Sequence, residues 1–238
     1  DLIPEVDAWF GAREFDPVIK ALGGVPSEAK RVERYLTTPS HYAYLKISEG
    51  CDRRCSYCAI PFIRGAHKSV PMEDLVTEAQ RLAEKGVKEL IIIAQDTTYY
   101  GLDLYHRRAL AELLQKLSEV DGIEWIRIHY SYPAAFPDDV LDQMAENPKV
   151  CRYMDIPLQH ISDKVLDNMH RNVTGQWTRE LISRMRDRVP GVVLRTTMIV
   201  GHPGEGKKDF EELLQFASDA RFERLGAFKY SEEEGTYG

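Results

Sequence analysis

The sequence lacks any long hydrophobic run. Its longest purely aliphatic stretch is Leu90–Ala94, against the roughly 18 residues that a membrane-crossing helix needs. It also lacks a polybasic tract. Lys and Arg number 31 and Asp and Glu 38, a formal net charge of −7 spread along the chain, so an electrostatic grip on nucleic acid is not indicated. No charged-then-apolar segment follows Asp1, as a secretory signal would require. Cysteine is scarce, four in 238 residues, too few to frame a disulfide-rich secreted fold. These absences predict a soluble, cytoplasmic chain with no membrane partner. A hydrophobic fraction of 43% is enough for one large core or two small ones and excludes disordered and fibrous classes.

What is present has a regular cadence. From residue 42 onward, short and often β-branched runs alternate with longer segments of helical period, the pattern of βα units around a parallel sheet. Six strands are predicted, at Tyr42–Ile47, Glu89–Ala94, Trp125–His129, Tyr153–Pro157, Val192–Val200 and Arg224–Lys229. Helices are expected at Met72–Lys85, Leu104–Val120, Asp138–Asn147, Asp163–Met169, Thr178–Arg188 and Asp209–Ala220. A closed barrel of eight units takes about 250 residues. The 197 that remain after the first 41 suit an α/β fold of six (β/α) units, a partial TIM-type barrel with outer helices. Chemistry in such folds gathers at the carboxyl ends of the strands.

Residues 1–22 fall outside the series. Val6–Phe10 reads as a strand, and Asp16-Pro17 as the start of a short helix ended by Gly23-Gly24. One strand and one helix cannot bury their own faces, so 1–22 is expected to be the tail of a truncated amino-terminal domain. Residues 23–41 are then a linker and 42–238 the core barrel.

Three of the four cysteines, Cys51, Cys55 and Cys58, follow the first strand with the spacing CxxxCxxC. Such crowding suits a metal centre. Zinc is one reading, but structural zinc is normally closed by four ligands, and the next candidate, His67, lies beyond Ile60-Pro61-Phe62-Ile63. The other reading is a [4Fe–4S] cluster on three cysteines with one iron open to substrate, shielded by the residues around Tyr57 and Phe62. The remaining Cys151 reads as an ordinary packed thiol. Gly201-x-x-x-x-Gly206-Lys207 mimics a phosphate-binding loop, but Lys208 stands where a Ser or Thr magnesium ligand belongs, and Glu205 brings negative charge into the cradle.

The cysteine spacing after the first strand of a six-unit barrel resembles the radical S-adenosylmethionine (SAM) superfamily. That resemblance implies a [4Fe–4S] cluster whose open iron chelates SAM, with one-electron reduction yielding methionine and a 5′-deoxyadenosyl radical. Gly201-His202-Pro203-Gly204-Glu205 resembles the family's glycine-rich motif against SAM, with His202 where Phe is usual. By the same resemblance Tyr57, Asp96, Gln159, Arg195, Gly201, Gly204 and Glu205 are candidate cofactor contacts, and His129 and His160 candidate contacts to substrate or SAM. An interior ion pair is the other reading of Arg195. His41, His67, His106 and His170 read as surface or loop residues, and Tyr99-Tyr100 and Tyr130-x-Tyr132 as candidate channel linings.

Longer strings narrow the resemblance to the methylthiotransferases: Lys46–Cys51, Cys58–Pro61, Ala94–Thr98, His129–Pro133, Asp155–His160 and Tyr230–Thr236. Gln95-Asp96 and His129–Pro133 are more similar to the ribosomal-protein enzymes than to those acting on transfer RNA. The resemblance implies a methylthio group added to the β-carbon of an aspartate in the twelfth small-subunit ribosomal protein. It also implies a flavodoxin-type or ferredoxin-type electron donor. A second [4Fe–4S] cluster is expected in the full-length protein only, because no cysteine precedes Cys51. A carboxyl-terminal TRAM domain is expected to be missing as well. A transfer-RNA methylthiotransferase core and a non-catalytic zinc-stabilised barrel are the alternatives.

Overall fold

The computed structural model describes residues 3–26 and 34–237. Its centre is a six-stranded sheet of β1 (Tyr42–Lys46), β4 (Glu89–Ile93), β5 (Trp125–Ile128), β6 (Val150–Asp155), β7 (Val193–Val200) and β8 (Arg224–Lys229), adjacent in that order and all parallel. The short β2 (Ser48–Glu49) and β3 (Lys68–Ser69) pair antiparallel and brace the base of the cysteine loop. The expected six-unit partial barrel is therefore the fold observed.

Period-2 burial explains the sheet. Ala43 and Leu45 of β1, Leu90 and Ile92 of β4, Ile126 and Ile128 of β5, and Leu194 and Met198 of β7 are all buried. Paired positions share a face, so these side chains form one continuous layer against the outer helices. The helices meet it with stripes spaced three to four residues apart. These are Met72, Leu75, Ala79 and Leu82 of α3 (Met72–Glu84), and Leu110, Leu113, Leu114 and Leu117 of α4 (Leu110–Ser118). The opposite, concave face is polar: Arg127 donates to Glu89 at 2.6 Å and Arg195 to Asp155 at 2.6 Å.

The remaining helices are α1 (Phe15–Ala21), α2 (Ile60–Arg64), α5 (Asp138–Glu146), α6 (Asp163–Asn168), α7 (Gly175–Arg188) and α8 (Lys207–Ala220). Three expectations are corrected. Val6–Phe10 forms no strand; among the described residues no strand pairs with the segment, and its side chains are exposed. The fourth barrel strand begins three residues early, at Val150, because Val150 pairs with Ile126 through an irregular register. Helix α4 starts at Leu110 rather than Leu104, since turns closed by Tyr105 N–H to Gly101 and Ala109 N–H to Tyr100 occupy the preceding residues. The proposed linker falls partly on residues 27–33, outside the described residues.

Candidate active site

The loop after β2 is shaped from both ends. Gly50 has φ +80°, and a Cβ there would lie 2.2 Å from the Ala66 carbonyl oxygen, so only glycine turns the chain into Cys51. Cys51 N–H then donates to the Gly65 carbonyl at 3.1 Å. Arg13 donates to the carbonyls of Arg64 and Ala66, both at 2.6 Å, so the amino-terminal segment steadies the return of the loop. At the far end Ser56 N–H donates to the Met169 carbonyl at 3.1 Å, and Ser56 Oγ lies 3.1 Å from His202 Nε2. His202 Nδ1 lies 3.0 Å from the Pro203 carbonyl. With the ring proton on Nδ1 donated to that carbonyl, Nε2 accepts from the Ser56 hydroxyl. The unusual histidine thus fastens the glycine-rich loop to the cysteine loop.

Cys51, Cys55 and Cys58 line one cavity of about 250 Å³ with Arg53, Tyr57, Gln95, Tyr130, Tyr132, Gln159 and Arg171. Burial pushes the Cys51 thiol up to about 11 and raises that of Cys58. Four buried polar atoms on these walls have no partner: Arg53 Nη2, Gln95 Oε1, Gln159 Oε1 and Arg171 Nε. Buried polar groups are ordinarily satisfied, so four orphans around one cavity mark it as built for a polar ligand. Among the described residues no three His, Cys, Asp or Glu side chains close around a single ion. His67 lies on the loop between α2 and β3, as its reading as a surface or loop residue allowed, but is buried, with Nε2 3.1 Å from Ser69 Oγ and away from the cavity lining. The loop does not build a four-ligand zinc site. Three soft donors facing one cavity fit a multi-iron cluster.

Sequence reasoning missed the two arginines. Arg53 Nε donates to Asp96 Oδ2 at 3.0 Å, and its guanidinium lies 4.0 Å from the centroid of the Tyr132 ring. Arg171, which is 3% exposed, lies 4.2 Å from the same centroid. Its Nη1 donates to Tyr57 Oη at 3.3 Å and reaches Cys55 Sγ at 3.6 Å, while Nη2 donates to the Pro157 carbonyl at 2.6 Å. Burial opposes its charge, but Tyr57, Cys55 and Tyr132 outweigh it and hold its pKa above the ordinary arginine value. No local pattern around His170-Arg171-Asn172 signals this role. It arises from a contact 116 residues apart in the chain.

The other candidates are distributed as follows. Tyr57 and Gln159 line the cavity. Asp96 stands beside it, its Oδ1 accepting from Thr98 N–H at 3.0 Å and Thr98 Oγ1 at 2.6 Å as the cap of the turn Thr97–Tyr99. Arg195 is ion-paired to Asp155 on the concave face, the interior pair that its sequence position also allowed. Gly201 and Gly204 take positive φ, and Glu205 Oε2 accepts from Gly201 N–H at 2.6 Å. A carboxylate of the chain itself thus fills the place a phosphate would need. His129 is half-buried, its ring 5.7 Å from that of Tyr153. His160 is fully buried and outside the lining, its Nδ1 accepting from Ser162 N–H at 3.0 Å. No described helix is long and apolar enough to cross a membrane.

The chain is 58% identical over 235 residues to the ribosomal protein uS12 methylthiotransferase RimO of Porphyromonas gingivalis strain W83. It is 56% identical to the protein of the same name from Cytophaga hutchinsonii. Each match covers 99% of this chain and 54% of the relative, so the chain spans about half the length of the curated relatives it matches. Among solved structures, the radical SAM methyltransferase TsrM of Kitasatospora setae, with cobalamin and a [4Fe–4S] cluster bound, aligns with a TM-score of 0.66 at 17% identity. That alignment covers 83% of this chain and 40% of TsrM. Coproporphyrinogen III oxidase (HemN) of Escherichia coli aligns with a TM-score of 0.59 at 18% identity, over 85% of this chain and 46% of the enzyme. The Radical SAM superfamily profile matches residues 45–217, a span that runs from within β1 through the cysteine loop to α8, and the chain belongs to that superfamily.

Proposed function

We propose that this chain is the catalytic core of a methylthiotransferase that modifies the β-carbon of an aspartate in ribosomal protein uS12. The observation that carries the proposal is the cavity itself, where three thiols of one loop face unpartnered arginine and glutamine atoms. Similarity to the uS12 methylthiotransferases over 99% of the chain supports the substrate. A [4Fe–4S] cluster and SAM, when bound, supply a carbon-centred radical able to take hydrogen from an unactivated C–H bond, which acid–base groups cannot readily do.

The chain's own residues have distinct tasks. Cys51, Cys55 and Cys58 would hold the cluster, with Tyr57 and Arg171 packed against them. Arg53 Nη2 and the Gln95 and Gln159 amides offer charged and polar partners suited to the carboxylate and ammonium of an amino-acid moiety. Tyr130 and Tyr132 line the cavity beside the thiols, and their ring faces would disfavour water at the reacting centre. A second [4Fe–4S] cluster would be held in the full-length enzyme, and a flavodoxin-type or ferredoxin-type protein would be the electron source. The setting is the cytoplasm, where ribosomal proteins are assembled.

Iron and sulfide assay after anaerobic reconstitution tests the core, together with electron paramagnetic resonance before and after SAM addition. About four irons per chain are expected, lost in Cys55→Ala, with a SAM-dependent change in the spectrum. Bound zinc with no iron overturns the reading. Methylthiolation of uS12 by the full-length enzyme, followed by mass spectrometry, tests the substrate. A modified transfer RNA in place of uS12 redirects it.

A further inference from the structure

Arg171 is a buried cation without a carboxylate. Its side chain meets Cys55 Sγ, Tyr57 Oη, the Pro157 carbonyl and the face of Tyr132, and among the described residues it pairs with no Asp or Glu. Lys, Arg, Asp and Glu are almost never fully buried unless paired, and an uncompensated buried charge is strongly destabilising. Tyr132 locks the backbone at this point as well, donating to the Arg171 carbonyl at 2.6 Å. The nearest group able to balance the guanidinium is the cysteine triad. Arg53, the other arginine on the cavity wall, already has Asp96. The two cations therefore differ: one is neutralised by the protein, the other is left for what the cysteines hold.

We infer that Arg171 is a positioning residue that supplies the counter-charge of the cysteine-bound cluster and thereby raises its reduction potential. The inference rests on the cluster reading above. A [4Fe–4S] cluster in its 2+ state on three thiolates carries a net charge of about −1, and uptake of one electron from the donor, with no proton, takes it to about −2. A fixed cation against the Cys55 sulfur, with both side chains buried, favours the more negative state. Loss of that charge makes the reduced state harder to reach. The ligand set itself stays intact.

The test compares Arg171→Lys, which keeps the charge, with Arg171→Gln, which keeps a donor and loses it. Each chain is reconstituted anaerobically, its iron counted and its cluster titrated with dithionite while the reduced signal is followed by electron paramagnetic resonance. At the potential where the wild type is half reduced, the reduced-to-oxidised ratio of the Gln variant is expected to fall at least about tenfold, equivalent to about 59 mV for one electron. The Lys variant should stay within threefold. A Gln variant that no longer holds iron, while the Lys variant does, overturns the inference about potential, because the charge then governs retention of the cluster rather than its reduction. The inference is overturned when both variants keep the wild-type ratio, shift equally, or both fail to hold iron despite native circular dichroism. A wild type without iron removes the cluster reading, and this inference with it.

Discussion

Asp96 separates a ligand contact from a structural anchor, and the structure predicts a large stability effect on its removal. The carboxylate is 2% exposed and holds three donors, Arg53 Nε, Thr98 N–H and Thr98 Oγ1. Two unit charges 3.0 Å apart attract by about 5 kcal/mol at an effective dielectric constant of about 20, and desolvation of both groups offsets part of this. Asp96→Ala leaves Arg53 poorly paired and the turn uncapped, so a loss of about 3–5 kcal/mol is expected. At about 2–4 °C per kcal/mol for a chain of this size, the midpoint should fall by roughly 6–20 °C. Asp96→Asn keeps an acceptor for Thr98 and should lose about half as much. Thermal unfolding by circular dichroism gives both numbers. A double-mutant cycle with Arg53→Met should return a coupling of about 2 kcal/mol. A fall of under about 2 °C in Asp96→Ala, less than about 1 kcal/mol by the same conversion, refutes the anchor and restores Asp96 as a residue free to meet a ligand.

Two further outcomes follow from local geometry. Burial holds the His160 pKa below its usual 6.5 while Glu205, whose Oε2 lies 3.8 Å from Nε2, works in the opposite direction. The unfolded chain then binds more protons than the native one as pH falls through 6.5, so stability contributed by the neutral ring is lost toward acid. The fall in unfolding midpoint between about pH 7.5 and 5.5 should be shallower in His160→Gln; an unchanged slope contradicts the assignment. Gly50→Ala brings a Cβ to 2.2 Å from one carbonyl oxygen and 2.5 Å from another. A loss of more than about 2 kcal/mol is expected, with reduced iron loading on reconstitution. Gly86→Ala has a similar positive φ but open space, and should lose only about 1 kcal/mol. Equal losses at the two glycines would show that the loop yields.

The architecture was legible because each strand carries its own signal. Period-2 apolar residues such as Leu90 and Ile92 must be buried on one face, and the helical stripes match them. The cysteine loop was legible because its spacing is local. Val6–Phe10 failed because a β-branched, aromatic run becomes a strand only beside a partner. The role of Arg171 was illegible for a related reason. Its chemistry comes from Cys55 and Tyr57, more than 110 residues away in the chain, and a lone arginine after a helix looks like any solvated charge. Asp96 and Arg195 were singled out through the resemblance, and an interior ion pair was one reading of Arg195, but nothing in the sequence names Arg53 and Asp155 as their partners.

The His202–Ser56 bond also sets an order of events during synthesis. The cysteine loop is made early, yet its far end is held by Met169, Arg171 and, across 146 residues, His202. At about 5–20 residues per second on the ribosome, roughly 7–30 s pass between translation of Cys58 and of His202. Through that interval the thiols belong to a loop whose clamps do not yet exist. Iron offered to the nascent chain meets an unshaped ligand set, so maturation of the centre is timed by the arrival of β7 and the turn beyond it.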